Sequence, residues 1–397
     1  MKNRIFAAIL ALYTAASLCG CADVDGEKTS INESLSSEQT SGSAATTIGQ
    51  SSNVLFPDKW AEEISDGANS FPTKCKIYKQ KRKQFTEKQL LSLFSDSPQK
   101  VESDANNEIR YQTDTETGYI SNDGILGFYT PEGSLYSSIS TSSFLETNGI
   151  EDYENVSLDF STRDEALEQV KKTVQDKLEI TQGDLYVQEF YAVKKENVDL
   201  YKKMVNEQAN IPVTSDNELE QAKWAERAEK LKKISSKDFY YIRLGFNIDG
   251  NPYYSGNGFY YGGDENYMIM GYTAELVYTE NGIEFVTFIN VNETDTSSAE
   301  EVEIIPFDKA KELILKKYDD IIFDGEVAVN SIELVYMPIP QNDLGQIADR
   351  FETRPFYAFY CTITEERGGN TISEKITTYF DAITGDEFAT EQIMLGG

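Results

Sequence analysis

Residues Tyr240 to Tyr254 read Tyr-Tyr-Ile-Arg-Leu-Gly-Phe-Asn-Ile-Asp-Gly-Asn-Pro-Tyr-Tyr, two strand-like runs folded about Asp249-Gly250. A two-residue hairpin turn needs positive φ at both central positions, and Asp-Gly supplies it at little cost. Related turns recur as D-x-x-T-G at Asp114–Gly118 and Asp381–Gly385. In each, Asp is expected to open the turn by bonding its own backbone and Gly to take the left-handed position. Aromatic, β-branched runs at Leu185–Val193, Ile332–Met337 and Phe356–Thr364 read as further strands. With 24 Tyr and 21 Phe, the chain favours extended strands over helical bundles.

Helix openers stand between these runs. Thr86-Glu87-Lys88-Gln89 and Thr162-Arg163-Asp164-Glu165 are capping boxes, the first opening a short helix over Leu90 to Phe94. The second opens a longer helix with Ala166, Val170, Val174 and Leu178 on one stripe. A third helix starts near Pro306 and carries Ala310, Leu313, Ile314 and Tyr318 inward. A helical insert spans 198–234: Val198 to Gln208, a break at Pro212, then a helix opened by Ser215-Asp216-Asn217-Glu218 and ending near Lys233. Its second helix spaces Leu219, Ala222, Ala225, Ala228 and Leu231 three apart, a drifting face of small residues that predicts loose docking. Trp224 lies off that stripe and is the candidate partner contact. Helices alternating with antiparallel meanders give an α+β fold, with units at 54–150, 151–237 and 238–397.

The N-terminus is of another kind. Lys2 and Arg4 precede an uncharged run from Ile5 to Leu18, closed by Leu18-Cys19-Gly20-Cys21, the pattern of a secretory signal over residues 1–20. The closing four residues resemble the bacterial lipobox, and by that resemblance Cys21 receives the lipid and becomes the new N-terminus. Residues 21–53 continue as a Ser/Thr-rich tether. The expected location is the outer face of the cytoplasmic membrane, with membrane lipid held through Cys21.

A formal charge of −31 opposes binding to nucleic acid and other anionic polymers. The chain has no histidine, which removes Ser-His-Asp and Cys-His nucleophiles, His-ligated zinc and His general bases. Cys75 and Cys361 remain in the folded part. Two thiols outside the cytoplasm can form one disulfide, but each sits in an apolar run where a free buried thiol is equally ordinary.

The other chemical signatures are weak. Ser97-Pro98-Gln99-Lys100 fits S-x-x-K but has no K-T-G companion in the folded part. Gly256, Gly258, Gly262 and Gly263 miss the phosphate-loop spacing. Asn247, Asp249 and Asn251 alternate as calcium ligands would, without the closing acid. No metal and no cofactor is expected. Acid pairs such as Asp264-Glu265, Glu300-Glu301 and Asp319-Asp320 abound among 67 acidic residues, so their adjacency says little. Lys74, Lys76, Lys79, Lys81, Arg82 and Lys83 concentrate positive charge that could face an anionic membrane or protect a strand edge.

The openers Asp164-Glu165-Ala166 and Asp308-Lys309-Ala310, the Asp249–Tyr254 hairpin and the closing Tyr379–Phe388 segment resemble PepSY-like repeats. Residues 238 to 390 also look like the extracytoplasmic part of the YycH/YycI type, membrane-tethered proteins of Gram-positive bacteria that restrain a sensor kinase. The chain is similar as well to acidic, Tyr-rich lipoproteins of Clostridia-type bacteria. The resemblance implies repeated helix-plus-meander units and no catalytic residues. The expected function is a lipid-anchored, non-catalytic module binding or restraining another envelope protein. Alternatives are a small-molecule or glycan-binding lipoprotein, with Tyr253, Tyr254, Tyr260 and Tyr261 as stacking platforms, and a carboxylate-based envelope hydrolase.

Overall fold

The Asp249-Gly250 hairpin forms as the sequence requires. Asp249 has φ +51° and Gly250 φ +78°, and they join β8 (Phe239–Ile248) to β9 (Asn251–Pro252). The computed structural model describes residues 54–55, 71–103, 107–141, 144, 156–180, 184–213, 218–262, 265–319, 325–341, 349–367 and 370–390. Among these, strand outweighs helix, and the fold is α+β built on two sheets, antiparallel except where β1 (Val54–Leu55) runs parallel to its neighbour.

The first sheet runs β3 (Gln99–Val101), β4 (Glu108–Gln112), β5 (Thr117–Ser121), β6 (Ile125–Tyr129), β13 (Gly282–Ile289), β12 (Thr273–Thr279), β8 and β7 (Asp184–Val193), with β9 beside β8. The second runs β1 (Val54–Leu55), β15 (Gly325–Pro340), β16 (Arg350–Arg367), β17 (Asn370–Asp381), β18 (Glu387–Thr390), β10 (Asn257–Gly262) and β11 (Glu265–Met270). There β2 (Lys74–Arg82) pairs with both β16 and β14 (Asn292–Glu303). Each sheet takes strands from both 54–150 and 238–397, so the boundaries expected at 150 and 237 do not separate independent cores. Cross-strand register between distant segments cannot be read from local turns, and it decides sheet membership.

Both capping boxes form. Thr86 caps α1 (Glu87–Leu91) against Gln89, and Thr162 caps α3 (Arg163–Lys172) against Glu165. Helix α3 runs on through a π turn at Thr173–Lys177, and Ala166, Val170, Val174 and Leu178 are fully buried. They pack with Tyr240, Ile242, Leu244, Leu276, Val286 and Phe288 on one face of the first sheet. The opposite face carries Phe239, Tyr241 and Val277 under α2 (Pro131–Ser140), α4 (Lys195–Ala209) and α5 (Glu218–Leu231). Helix α6 (Phe307–Asp319) buries Ala310, Ile314 and Tyr318 against Val327, Tyr357, Phe359 and Phe380 of the second sheet.

After β9 the chain crosses between sheets. The Tyr253 amide bonds Phe246 O at 2.7 Å, and the Tyr254 amide bonds Tyr336 O at 2.8 Å. The junction is polar as well as aromatic. The Tyr253 hydroxyl donates to Gln80 Oε1 at 2.8 Å and accepts from Asn292 Nδ2 at 2.8 Å.

Two turn expectations need correction. In the first D-x-x-T-G turn the Thr113 hydroxyl, not Asp114, accepts the Thr115 and Glu116 amides. Gly118 lies inside β5 without positive φ; a β-carbon there would fall 2.8 Å from Leu90 and Phe94, so close helix approach demands the glycine. The second turn matches: Asp381 Oδ1 accepts the Ile383 and Thr384 amides, and Gly385 has φ +82°.

Candidate functional site

Most residues singled out in the sequence prove to be structural. Cys21, the signal, the tether and Ser215–Asn217 lie outside the described residues. Cys75 and Cys361 are free, buried thiols, each pushed up by burial, to about 11 and about 12. The disulfide considered for them is not formed, and each packs instead within the α6 core.

The basic run is not a free patch. Strand β2 lies between β14 and β16 over Tyr78–Lys81, so Lys79 and Lys81 protect no edge there. Lys81, Lys79, Lys76 and Lys74 stand in register with Glu293, Asp295, Glu301 and Glu303. Lys74 reaches Glu301 at 2.7 Å, and that hydrogen bond, followed by the charge, raises its pKa. Lys83 is buried against Glu293 at 2.9 Å, and Arg82 donates to Asp123 O at 3.2 Å. A membrane-facing role for Lys83 is therefore corrected.

Trp224 is half-buried against the core beneath α4 and α5, and its indole N–H donates to Glu220 Oε1 at 3.5 Å. The buried face of α5 is Gln221, Ala228 and Leu231, whereas Leu219 is 73% exposed. A strict three-residue step drifts by about 60° each time, so the expected stripe winds off the face that actually docks. Tyr253 and Tyr254 are buried and cannot act as stacking platforms, while the side chains of Tyr260 and Tyr261 lie outside the described residues. The Asp249 carboxylate is occupied by the Tyr78 hydroxyl at 2.6 Å, and no metal-holding group of three acids or thiols occurs among the described residues. A cavity between the sheets, lined by Gln80, Tyr253, Tyr272 and Asn292, offers about 20 Å3, room for about one water.

The surface left open lies beside the helices. On the face that packs Tyr241 and Val277, the cover ends one residue pair further along. The next row crosses the sheet as Glu189, Arg243, Glu275, Thr287, Gly127, Tyr119 and Arg110, with successive residues in direct register. Of these, Glu189, Arg243, Glu275, Thr287 and Tyr119 are half-buried. Arg243 Nη1 lies 3.1 Å from Glu189 Oε1. Burial acts to lower the Arg243 pKa, but Glu189 and then Glu275 outweigh it, and the pKa rises. Glu275 is pushed up chiefly by burial, against the opposing pull of Arg243 and the Tyr241 hydroxyl.

Two tyrosines lie flat against this face. A β-carbon on Gly127 would fall 2.4 Å from the Tyr119 ring, and one on Gly245 would fall 2.2 Å from the Tyr186 ring. Only glycine admits such an approach. In both cases the tyrosine stands directly opposite the glycine on the neighbouring strand. Both glycines sit in the same triplet, Leu126-Gly127-Phe128 and Leu244-Gly245-Phe246. That repeated Leu-Gly-Phe was the available sequence signal for the site. Arg110, paired to Glu108 at 2.7 Å, lies 5.8 Å from the Tyr119 ring centre.

No family model and no curated protein matches the chain. Four solved chains match it. One is an uncharacterized protein from Eubacterium rectale ATCC 33656, similar over 80% of this chain and 87% of that one, with TM-score 0.51 and 18% identity.

Proposed function

We propose that the chain is a lipid-anchored, non-catalytic recognition module on the outer face of the cytoplasmic membrane, binding an envelope component through the Tyr119–Arg243 strip. The observation that carries this reading is the half-covered sheet face, where polar and aromatic side chains stand in register beside the apolar core under the helices. Anchoring rests on the lipobox-like Leu18–Cys21 and the tether that follows. The PepSY-like, YycI-like reading belongs to the same proposal and is supported by the Asp249-Gly250 and Asp381–Gly385 turns. Glu189 and Glu275 face one shared guanidinium, a charge ladder across strands rather than an acid and a base held apart by substrate.

Two substitutions test the proposal. Cys21→Ser should leave unlipidated precursor, whereas Cys19→Ser should not prevent modification; an unmodified residue 21 in mature protein contradicts anchoring. Affinity capture from envelope extract should be lost with Thr287→Phe, which fills the strip, and retained with Trp224→Ala. The reverse pattern returns the contact to the helical insert.

A further inference from the structure

The strip also shows which class of component it suits, and we propose that it binds a neutral saccharide chain; this rests on the strip being the working surface. Tyr119 and Tyr186 provide two flat rings, each laid on a glycine backbone. Gly127 and Gly245 are separated by β13 and β12, three inter-strand spacings across and two residues along the strand, or about 16 Å. One ring over one glycine is an ordinary way to cover a bare backbone in a sheet. Two such pairs, each built on the same Leu-Gly-Phe triplet and flanking a polar strip, make a spaced pair of stacking platforms.

Between the platforms stand the Thr287 hydroxyl, the Glu275 carboxyl and the Arg243 guanidinium, with Glu189 beyond. These groups donate to and accept from hydroxyls, the polar groups a saccharide offers on its edges. Apart from Tyr119 the row carries no large apolar side chain, so its middle is polar throughout. Both guanidiniums of the row are already paired, Arg243 with Glu189 and Arg110 with Glu108, and on a chain of formal charge −31 they offer little to an anionic polymer. An extended neutral chain can stack at both ends and hydrogen-bond along the middle.

The test is titration calorimetry of the full-length lipoprotein, held in a detergent without a sugar headgroup, against cellohexaose, maltohexaose and chitohexaose, with polygalacturonate as the anionic probe. Saturable binding of at least one neutral hexasaccharide is expected. Tyr119→Leu and Tyr186→Leu, which cover the glycine without a flat ring, should each weaken it by about tenfold. Tyr119→Phe and Tyr186→Phe should largely preserve it. Absence of binding to all three neutral probes, or equal binding by both Leu variants, overturns the proposal. Should the Leu variants fail to fold, Thr287→Phe gives the same readout by blocking the middle of the strip. If no hexasaccharide binds yet Thr287→Phe still abolishes capture from extract, the saccharide proposal fails and the strip reading stands. If capture is also unaffected, both fail.

Discussion

The Tyr78 hydroxyl donates a 2.6 Å hydrogen bond to Asp249 Oδ2, tying an inner strand of one sheet to the hairpin turn of the other. Asp249 thus holds a left-handed turn and an inter-sheet bond at once. Asp249→Ala should cost about 2 kcal/mol by losing a hydrogen bond to a charged group, with the left-handed strain added. Asp249→Asn keeps the turn and should cost less. Urea unfolding midpoints check the order; equal stability of the two variants would show that the bond contributes nothing.

The buried tyrosines predict a steep alkaline transition. Burial raises the Tyr78 pKa first, and the hydrogen bond to Asp249 adds to it; Tyr318 and Tyr379 are each pushed up to about 12, chiefly by burial. The folded state therefore favours the neutral phenol more than the unfolded chain does. This stabilisation is complete below the unfolded value of about 10 and is lost as pH rises toward the folded values. Each such tyrosine should remove about 1.4 kcal/mol per pH unit in that window. Phenolate absorbance and loss of circular dichroism should appear together; gradual phenolate formation in a folded protein would contradict this.

Lys83 and Glu293 should respond asymmetrically to mutation. The lysine side chain is 7% exposed and the glutamate 48%. Glu293→Ala leaves a buried ammonium with the Glu179 carbonyl at 3.4 Å but no carboxylate, and should cost about 3 kcal/mol, whereas Lys83→Met leaves only a solvated carboxylate and should cost far less. Thermal melting distinguishes them. Because the neighbouring lysines face carboxylates in register, the unlipidated body should bind anionic and neutral vesicles equally poorly, which co-sedimentation at low salt measures.

Gly133 is a steric contact. A β-carbon there would fall 2.1 Å from Glu284 O, where α2 rests on β13. Gly133→Ala should therefore destabilise by roughly 2 kcal/mol despite alanine's better helix propensity. A stability equal to wild type would mean the helix can shift off the sheet.

Local chemistry was legible wherever neighbours in sequence satisfy one another. The Thr86/Gln89 and Thr162/Glu165 boxes, the Ala166–Leu178 stripe and the Asp249-Gly250 turn all need only nearby residues. Helix α2 was missed because Pro131–Ser140 contains a glycine and four serines, a weak helix former held by packing on β12 and β13. Its remaining signals were Thr130 at the cap and Pro131 in the first turn. The strip was illegible for a different reason: Tyr119, Thr287, Glu275 and Arg243 meet only through strand register. The lysine run misled because its partners, Glu293 to Glu303, lie on a strand far away in sequence.

The most direct test of the recognition strip is photo-crosslinking in intact cells, with Arg110→p-benzoylphenylalanine at its outer end, where the middle of the strip stays open, and Leu219→p-benzoylphenylalanine on the exposed face of α5. An envelope adduct is expected from position 110 and none from 219. An adduct from 219 alone, or the same adduct pattern from both positions, would contradict the recognition strip.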